Sequence, residues 1–316
     1  MSTFGAYISY KHKISKKANI IAGMRYAYSN LSANFEDSIL YSLPYRNISS
    51  SNHALTGSIA LASDLGQQFR FNTAISSSYR TPNIDDFGKI RVKGDNITIP
   101  NPNIKPEQAL NFEATLAKQF KKQVQLSSTF FYTHLFNAIL QQPGSLNNAD
   151  TMYYDGSYRQ IFTNSNAGQA FIWGFSTNLK IEFSEAIFLK MGINYIRGRE
   201  IISASVNKPL AHIPPLYGQF DLAYKRKLFQ TRFNVRFNGP KGLANYSDNS
   251  SENLDKALPE GTPAWFTFNI YASLKLHPTF SINLAVENLL DWHYRPYSSG
   301  VSAPGINVIV TLRGHF

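Results

Sequence analysis

The stretch "PGINVIVTLRGHF" (304–316) decides the fold. From Ile306 every second residue is apolar or small: Ile306, Val308, Val310, Leu312, Gly314 and Phe316. Between them stand Asn307, Thr311, Arg313 and His315, with Ile309 as the exception. Alternation with a period of two describes a β-strand with two unlike faces. The strand runs to a bare aromatic ring on the apolar face. Soluble domains usually fray at their ends and bury their rings, so this face calls for a greasy neighbour outside the protein.

The same alternation recurs along the chain. In "WFTFNIYASLKL" (265–276) Phe266, Phe268, Ile270, Ala272, Leu274 and Leu276 share one face, and Thr267, Asn269, Tyr271, Ser273 and Lys275 the other. "FQTRFNVRFNG" (229–239) sets Phe229, Phe233, Val235 and Phe237 against Gln230, Arg232, Asn234 and Arg236. Thirteen such strands are expected near 4–14, 18–30, 53–63, 68–79, 107–120, 123–136, 169–183, 186–198, 215–226, 228–239, 264–276, 279–290 and 304–316. Most are twice the length of a soluble strand and long enough to cross a bilayer when tilted.

Composition agrees. The 316 residues are 14% aromatic and only 16% charged, against about 25% charged in ordinary soluble domains. There is no run of about 18 apolar residues to make a transmembrane helix. The opening "MSTFGAYISYKHKISKK" (1–17) lacks a signal-peptide layout and already alternates. Cysteine is absent, as fits an oxidising envelope compartment. The net charge of +11 comes from Lys and Arg scattered along the sequence, which reads as dispersed solvated charge. No nucleic-acid-binding motif accompanies it.

Connection lengths alternate strictly. Tight turns at 15–17, 64–67, 121–123, 184–186, 227–229 and 277–279 are interleaved with long loops at about 31–52, 80–106, 137–168, 199–214, 240–263 and 291–303. An up-and-down antiparallel sheet then places every tight turn at one end and every long loop at the other. Outer-membrane barrels have this layout, and their backbone must be fully paired within lipid. Their strand counts are even, so thirteen implies either the C-terminal part of a longer barrel or one strand miscounted. On this reading Phe316 belongs to the aromatic girdle.

The connection after the fourth strand carries "SYRTPNIDDFG" (78–88) and then "NPNIKPEQALNFE" (101–113), and the chain closes with "AVENLLDWHYRPYSSGVSAPGINVIVTLRGHF" (285–316). Here the sequence resembles the TonB-dependent outer-membrane receptors of the siderophore, haem and cobalamin type. Tyr79, Arg80 and Pro82 fit one family box. Asn101, Pro102, Asn103, Lys105, Pro106 and Glu107 fit the next. The prolines mark where ladder pairing stops. Arg80 at the rim is placed to hold loop carbonyls or a carboxylate such as Asp85 or Asp86. The boxes either touch a ligand or only shape the loop.

The resemblance implies an all-β, antiparallel, up-and-down transmembrane barrel of 22 strands in the cell outer membrane. About 13 of those strands lie in this chain, with residues 1–316 as its C-terminal part and no plug domain in the sequence. It implies active uptake of a scarce ligand, most readily a ferric siderophore or related iron complex. It implies outer-membrane lipid, the barrel-assembly machinery and, through a plug, the TonB complex as partners. A terminal Phe such as Phe316 resembles the family's assembly signal. Haem receptors place a histidine between the two boxes, and 83–100 holds none.

Candidate ligand-contacting residues are Tyr153, Tyr154 and Tyr158 in a long loop, His212 and His293 near loop ends (with His53), and Arg232 and Arg236 on the lumen face. Arg25, Arg70, Lys180, Lys275 and Arg313 share that face with Glu113, Glu182 and Glu287. A net-basic lumen suits anionic cargo or the acidic groups of a plug. No catalytic residue, metal site, cofactor or nucleic-acid partner is expected: "GxSxG" and "HExxH" are absent. A passive porin or a truncated, non-functional receptor are the alternatives, and a soluble β-protein fits neither the strand lengths nor the segregated loops.

Overall fold

The computed structural model describes residues 1–34, 47–88, 90–121, 123–166, 168–203, 206–247 and 252–314. In chain order the elements are β1 (Ser2–Ser15), β2 (Ala18–Asn34), β3 (Asn47–Gly66), β4 (Phe69–Arg80), a short helix α1 (Ile84–Gly88), β5 (Arg91–Lys93), β6 (Asn96–Ile99), β7 (Glu107–Phe120), β8 (Val124–Phe136) and β9 (Ile139–Pro143). Then follow β10 (Thr151–Tyr154), β11 (Ser157–Asn166), β12 (Gln169–Glu182), β13 (Ile187–Ser203), β14 (Val206–Pro209), β15 (Tyr217–Lys225), β16 (Phe229–Asn238), β17 (Trp265–His277), β18 (Phe280–Glu287) and β19 (Asn307–Gly314).

Fourteen strands form one sheet in the order β1-β2-β3-β4-β7-β8-β12-β13-β15-β16-β17-β18-β19, with β14 added to β13. Every neighbour along that path is antiparallel, as in the register Ile270↔Val286, Tyr271↔Ala285 and Ala272↔Leu284. The path holds the thirteen strands expected from the alternation. Phe316, the expected girdle and assembly residue, lies outside the described residues.

The register turns sequence alternation into two surfaces. Val308, Val310 and Leu312 stand opposite Val286, Leu284 and Ile282 on the outer face, and all three outer residues of β19 are exposed. Across β15, β16 and β17 the inner face runs Gln219↔Arg236↔Thr267 and Asp221↔Asn234↔Asn269. The oily side faces out and the wet side faces in, the reverse of a soluble sandwich. No described helix is long and apolar enough to cross a membrane; a paired sheet satisfies its own backbone and can do so.

Two features differ from the sequence expectation. Several strands overrun the lipid span: β2 has 17 residues, β3 has 20 and β13 has 17. The β2–β3 ladder continues to Asn34↔Asn47, well inside the stretch read as loop. Second, a five-stranded sheet of β10-β11-β6-β5 with β9 stands over the long-loop end. Its strands of three to five residues, apart from β11, leave almost no periodic signal. The small apolar cores lie here rather than within the barrel wall: Leu31, Ile48, Phe87 and Ile104 form one, and Ile97, Ile99 and Ile161 the other.

Candidate ligand-binding mouth and lumen

The two sequence boxes meet at the mouth. Arg80, the last residue of β4, donates from Nη1 to Asp86 Oδ2 at 2.7 Å and from Nη2 to Asp86 Oδ1 at 3.3 Å. Its Nε donates to Glu107 Oε2, the first residue of β7. Asp86, of the two carboxylates open to it in sequence, is therefore the partner together with Glu107. Asn83 Oδ1 accepts from Asp86 N at 2.9 Å while Asp86 Oδ2 accepts from Asn83 N at 2.8 Å. This is a reciprocal cap that starts α1 and aims Asp86 at the arginine.

The second box is fastened by backbone contacts. Asn103 N donates to Asn101 Oδ1 at 2.9 Å, and Asn101 Nδ2 donates to Asn164 O at 2.9 Å. Lys105 exchanges hydrogen bonds with the Asn166 side chain on β11, at 2.7 and 2.9 Å. Ile104 sinks into the core with Phe87, and Pro82 is fully buried. Pro102, Asn103 and the Lys105 side chain face solvent, and Pro106 is half-buried. The Tyr79 hydroxyl is buried with no hydrogen-bond partner. The boxes thus weld two long loops into a rigid cap.

Arg80→Ala is expected to loosen that cap. It leaves two mostly buried carboxylates, 16% exposed each, facing one another without a cation. Because Arg80 itself is about half exposed, the cost is about 1–2 kcal/mol rather than that of a fully buried pair. Faster protease cutting within 81–106, with the barrel still folded, is the expected readout.

The remaining candidates fall in separate places. Tyr153 and Tyr158, 61% and 75% exposed, sit in register at the tip of the β10–β11 hairpin with rings 5.4 Å apart, edge to face. Tyr154 packs against the Ile97/Ile161 cluster and is a structural residue. His53 lies on the outer face beside Tyr28 at 4.9 Å and accepts or donates with Tyr26 Oη at 2.7 Å, which removes it from the lumen. Exposed His293 lines a cavity of about 310 Å³ with Tyr246, Lys256, Tyr294 and Arg295. Among the described residues no group of three or more His, Asp or Glu is placed to hold a metal ion.

His212 contributes its backbone to a buried knot that sequence reasoning missed. Its N–H donates to Glu252 Oε1 at 2.8 Å, and Ser247 N–H donates to Glu252 Oε2 at 2.5 Å. Lys241 Nζ lies 4.0 Å from Glu252 Oε1, donates to Ile213 O at 2.5 Å and sits 3.7 Å above the Tyr297 ring. Burial pushes the Lys241 ammonium down to about 8, opposed by Glu252 and reinforced by Arg199. Three long loops are tied here. "PKGLANYSDNSSENLDK" (240–256) gives no periodic cue that its lysine and glutamate converge.

On the lumen wall a ladder of polar side chains crosses three strands and reaches the residue that follows β18. Asn234 Nδ2 donates to Asp221 Oδ1 at 3.0 Å, Asn269 Nδ2 to Asn234 Oδ1 at 2.9 Å, and Asn288 N to Asn269 Oδ1 at 2.9 Å. Arg232 stacks on Tyr271 at 4.3 Å, with its Nε 3.6 Å from Asp221 Oδ1. Tyr271 donates to Glu287 Oε1 at 2.9 Å. Arg232 is therefore engaged by the wall, and Arg236, two rows nearer the mouth, stands between Gln219 and Thr267.

An unbroken antiparallel path, oily outside and polar inside, with turns sorted by length to its two ends, is the wall of a transmembrane β-barrel. The sequence model described as "TonB dependent receptor-like, beta-barrel" matches residues 1–289, and the chain belongs to this family of outer-membrane receptor barrels. No curated protein matches the sequence. Among solved structures, the copper transporter OprC superposes with a TM-score of 0.81 at 16% identity, over 99% of this chain and 49% of that one. The siderophore receptor PirA from Acinetobacter baumannii gives 0.72 at 18% identity over 99% and 46%. The ferric yersiniabactin uptake receptor FyuA from Yersinia pestis gives 0.67 at 17% over 99% and 45%. The chain thus spans about half the length of the structures it matches, and at these identities the likeness is one of fold.

Proposed function

We propose that this chain is the C-terminal wall of an outer-membrane receptor for active uptake of a scarce ligand, a ferric siderophore or related iron complex. The observation that carries the reading is a receptor-family barrel wall whose inner face is polar and basic, beneath a mouth capped by folded loops. Arg236 and its row suit an anionic complex. Tyr153 and Tyr158 at the hairpin tip, and His293 in the loop cavity, are the proposed first contacts. Relatives of this fold include siderophore receptors, which supports the same cargo class. Under this reading the long loops face outside, the tight turns face the periplasm, and energy arrives from the TonB complex through a plug.

The two edges constrain what completes the wall. β1 and β19 are the first and last of thirteen strands, twelve antiparallel steps apart on the path, and so run in the same direction. A second copy in the same membrane orientation would meet them parallel, whereas barrels of this type pair antiparallel throughout. The complement is a segment with an odd number of strands, supplied with the plug by the rest of the receptor and joined by the barrel-assembly machinery.

The test is uptake of radiolabelled ferric catecholate and ferric hydroxamate complexes by iron-starved cells carrying the whole receptor. Uptake of one class is expected to stop when a protonophore is added, and to fall several-fold in Arg236→Ala. Passage of small sugars that is indifferent to the protonophore, with no iron uptake, would instead make the protein a passive channel.

A further inference from the structure

The cations scattered along the sequence are gathered by the fold. All tight turns lie at one end of the sheet, and there the outer face and the turns carry Lys16, Lys17, Lys118, Lys121, Arg226 and Lys227. The inner face at the same end adds Arg70, Lys180, Lys190, Lys225, Lys275 and Arg313. Against these stand Asp64, Glu182, Glu185 and Asp221 among the described residues. Three of those four are engaged locally: Asp64 accepts from Gly66 N at 2.9 Å, Glu182 pairs with Lys180 at 2.5 Å, and Asp221 holds Asn234 and Arg232. The long-loop end mixes the two signs, as in Arg80 with Asp86 and Glu107 or Lys241 with Glu252. The charge excess is therefore polarised along the barrel.

The outward cations are set among greasy neighbours. Leu65, Phe120, Phe183 and Leu228 are exposed at the same rim. Lys118 stands in register with Phe69 and Leu126 on the lipid face, and its Nζ lies 5.5 Å from the Phe69 ring centre and 5.3 Å from that of Phe120. An apolar stem among rings with the ammonium carried to their edge is a side chain reaching for the headgroup layer. Inward cations meet the lumen and cannot reach lipid, and Lys17 lines the same cavity as Arg70, Lys180 and Lys190; Lys118 on the lipid face can reach it, and the exposed turn residues Lys121, Arg226 and Lys227 lie at the same rim.

We propose that the outward half of the tight-turn rim is a collar for the anionic phosphodiester headgroups of phospholipids in the adjoining leaflet. Basic clusters beside a membrane-spanning segment attract anionic lipid electrostatically, and screening weakens that attraction. The collar depends on membrane placement alone, so failure of the iron-uptake assay leaves it standing, and failure of the collar leaves cargo uptake untouched.

The chain has no cysteine, so Leu228→Cys is its one thiol and accepts a single fluorescent label in the full receptor once any cysteine outside this chain is replaced by serine. Reconstitution follows in phosphatidylcholine vesicles containing either brominated phosphatidylglycerol or brominated phosphatidylcholine as quencher. The expected association ratio is roughly fivefold in favour of phosphatidylglycerol at low salt, falling to about one in about 0.5 M sodium chloride. The combined variant Lys118→Gln, Lys121→Gln, Arg226→Gln and Lys227→Gln is expected to show a ratio near one at low salt. Equal quenching by the two lipids at low salt, or a preference that salt leaves unchanged in the unsubstituted rim, would overturn the proposal whether or not the fourfold variant folds.

Discussion

Glu252→Ala is expected to untie the long loops while leaving the barrel wall intact. The Glu252 side chain is fully buried and that of Lys241 is 6% exposed, so the substitution strands an ammonium in a desolvated site and removes the acceptor for two backbone N–H groups. Breaking one side of such a pair costs about 3–5 kcal/mol, which makes amide exchange at His212 and Ser247 faster by about two to four orders of magnitude. Exchange at those two amides that matches the parent would mean the knot does not hold the loops.

The same knot has a pH signature. Lys241 is lowered from 10.5 to about 8. Between those values the folded knot has released a proton that the opened chain still binds, so the knot gains stability as pH rises through that window. Below about 8 it carries the cost of a buried charge. Loop cutting by protease is therefore expected to slow, relative to a flexible reference peptide, from pH 8 towards 10.5. Lys241→Met should flatten the curve; a curve of the same slope in that variant would assign the pH dependence elsewhere.

Gly174→Val is expected to prevent the wall from assembling. Gly174 on β12 faces Phe131 on β8. A Cβ there would collide with the Tyr195 carbonyl oxygen and stand 2.8 Å from Phe131 Cζ. The ring covers the glycine, an arrangement that protects a bare backbone within a sheet. A carbonyl in a central ladder has little freedom to move, so the cost is about 3 kcal/mol or more. Gly57→Ala on β3 is the contrast: its Cβ would meet only the Gly23 oxygen at 3.4 Å and is expected to be tolerated. The measurement is the folded fraction after refolding in detergent; equal yields for Gly174→Val and Gly57→Ala would refute the packing argument.

The wall was legible because lipid imposes one rule on every strand. Outer positions such as Val308, Val310 and Leu312 must be apolar, inner ones are free to be polar, and pairing alternates them along each ladder, with register shifts only near strand ends. The cap was not legible for the opposite reason. β5, β6 and β10 are too short for a period to register, and β6 pairs with β11 across the register Gln160↔Asn96 to Thr163↔Ile99, a contact between two distant loops. The two boxes contain Arg80 and Glu107, which the structure pairs with one another. What they do there, closing one loop on another, depends on Asp86 being aimed by Asn83, which spacing alone leaves open between two aspartates.

Charge was the least legible property. Lys17, Lys118 and Arg226 stand roughly a hundred residues apart in sequence and read as dispersed. Lys17 and Arg226 lie in tight turns and Lys118 two residues before the end of β7, and the up-and-down path sends every such turn to one end. Polarisation of the barrel is a property of topology multiplied by position, invisible to a count. The same holds for Asp221, Asn234 and Asn269, three unremarkable polar residues until the registers of β15, β16 and β17 place them side by side.

The central claim is that one face of this sheet meets lipid and the other meets water. Single cysteines placed in turn at Phe266 to Leu274 of β17, in this cysteine-free chain and with any cysteine elsewhere in the receptor replaced by serine, test it directly in vesicles with a membrane-impermeant maleimide. Labelling with a period of two is predicted: Thr267, Asn269, Tyr271 and Ser273 reactive, Phe266, Phe268, Ile270 and Leu274 protected until detergent is added. Uniform reactivity along the strand would contradict the membrane wall and return the protein to water.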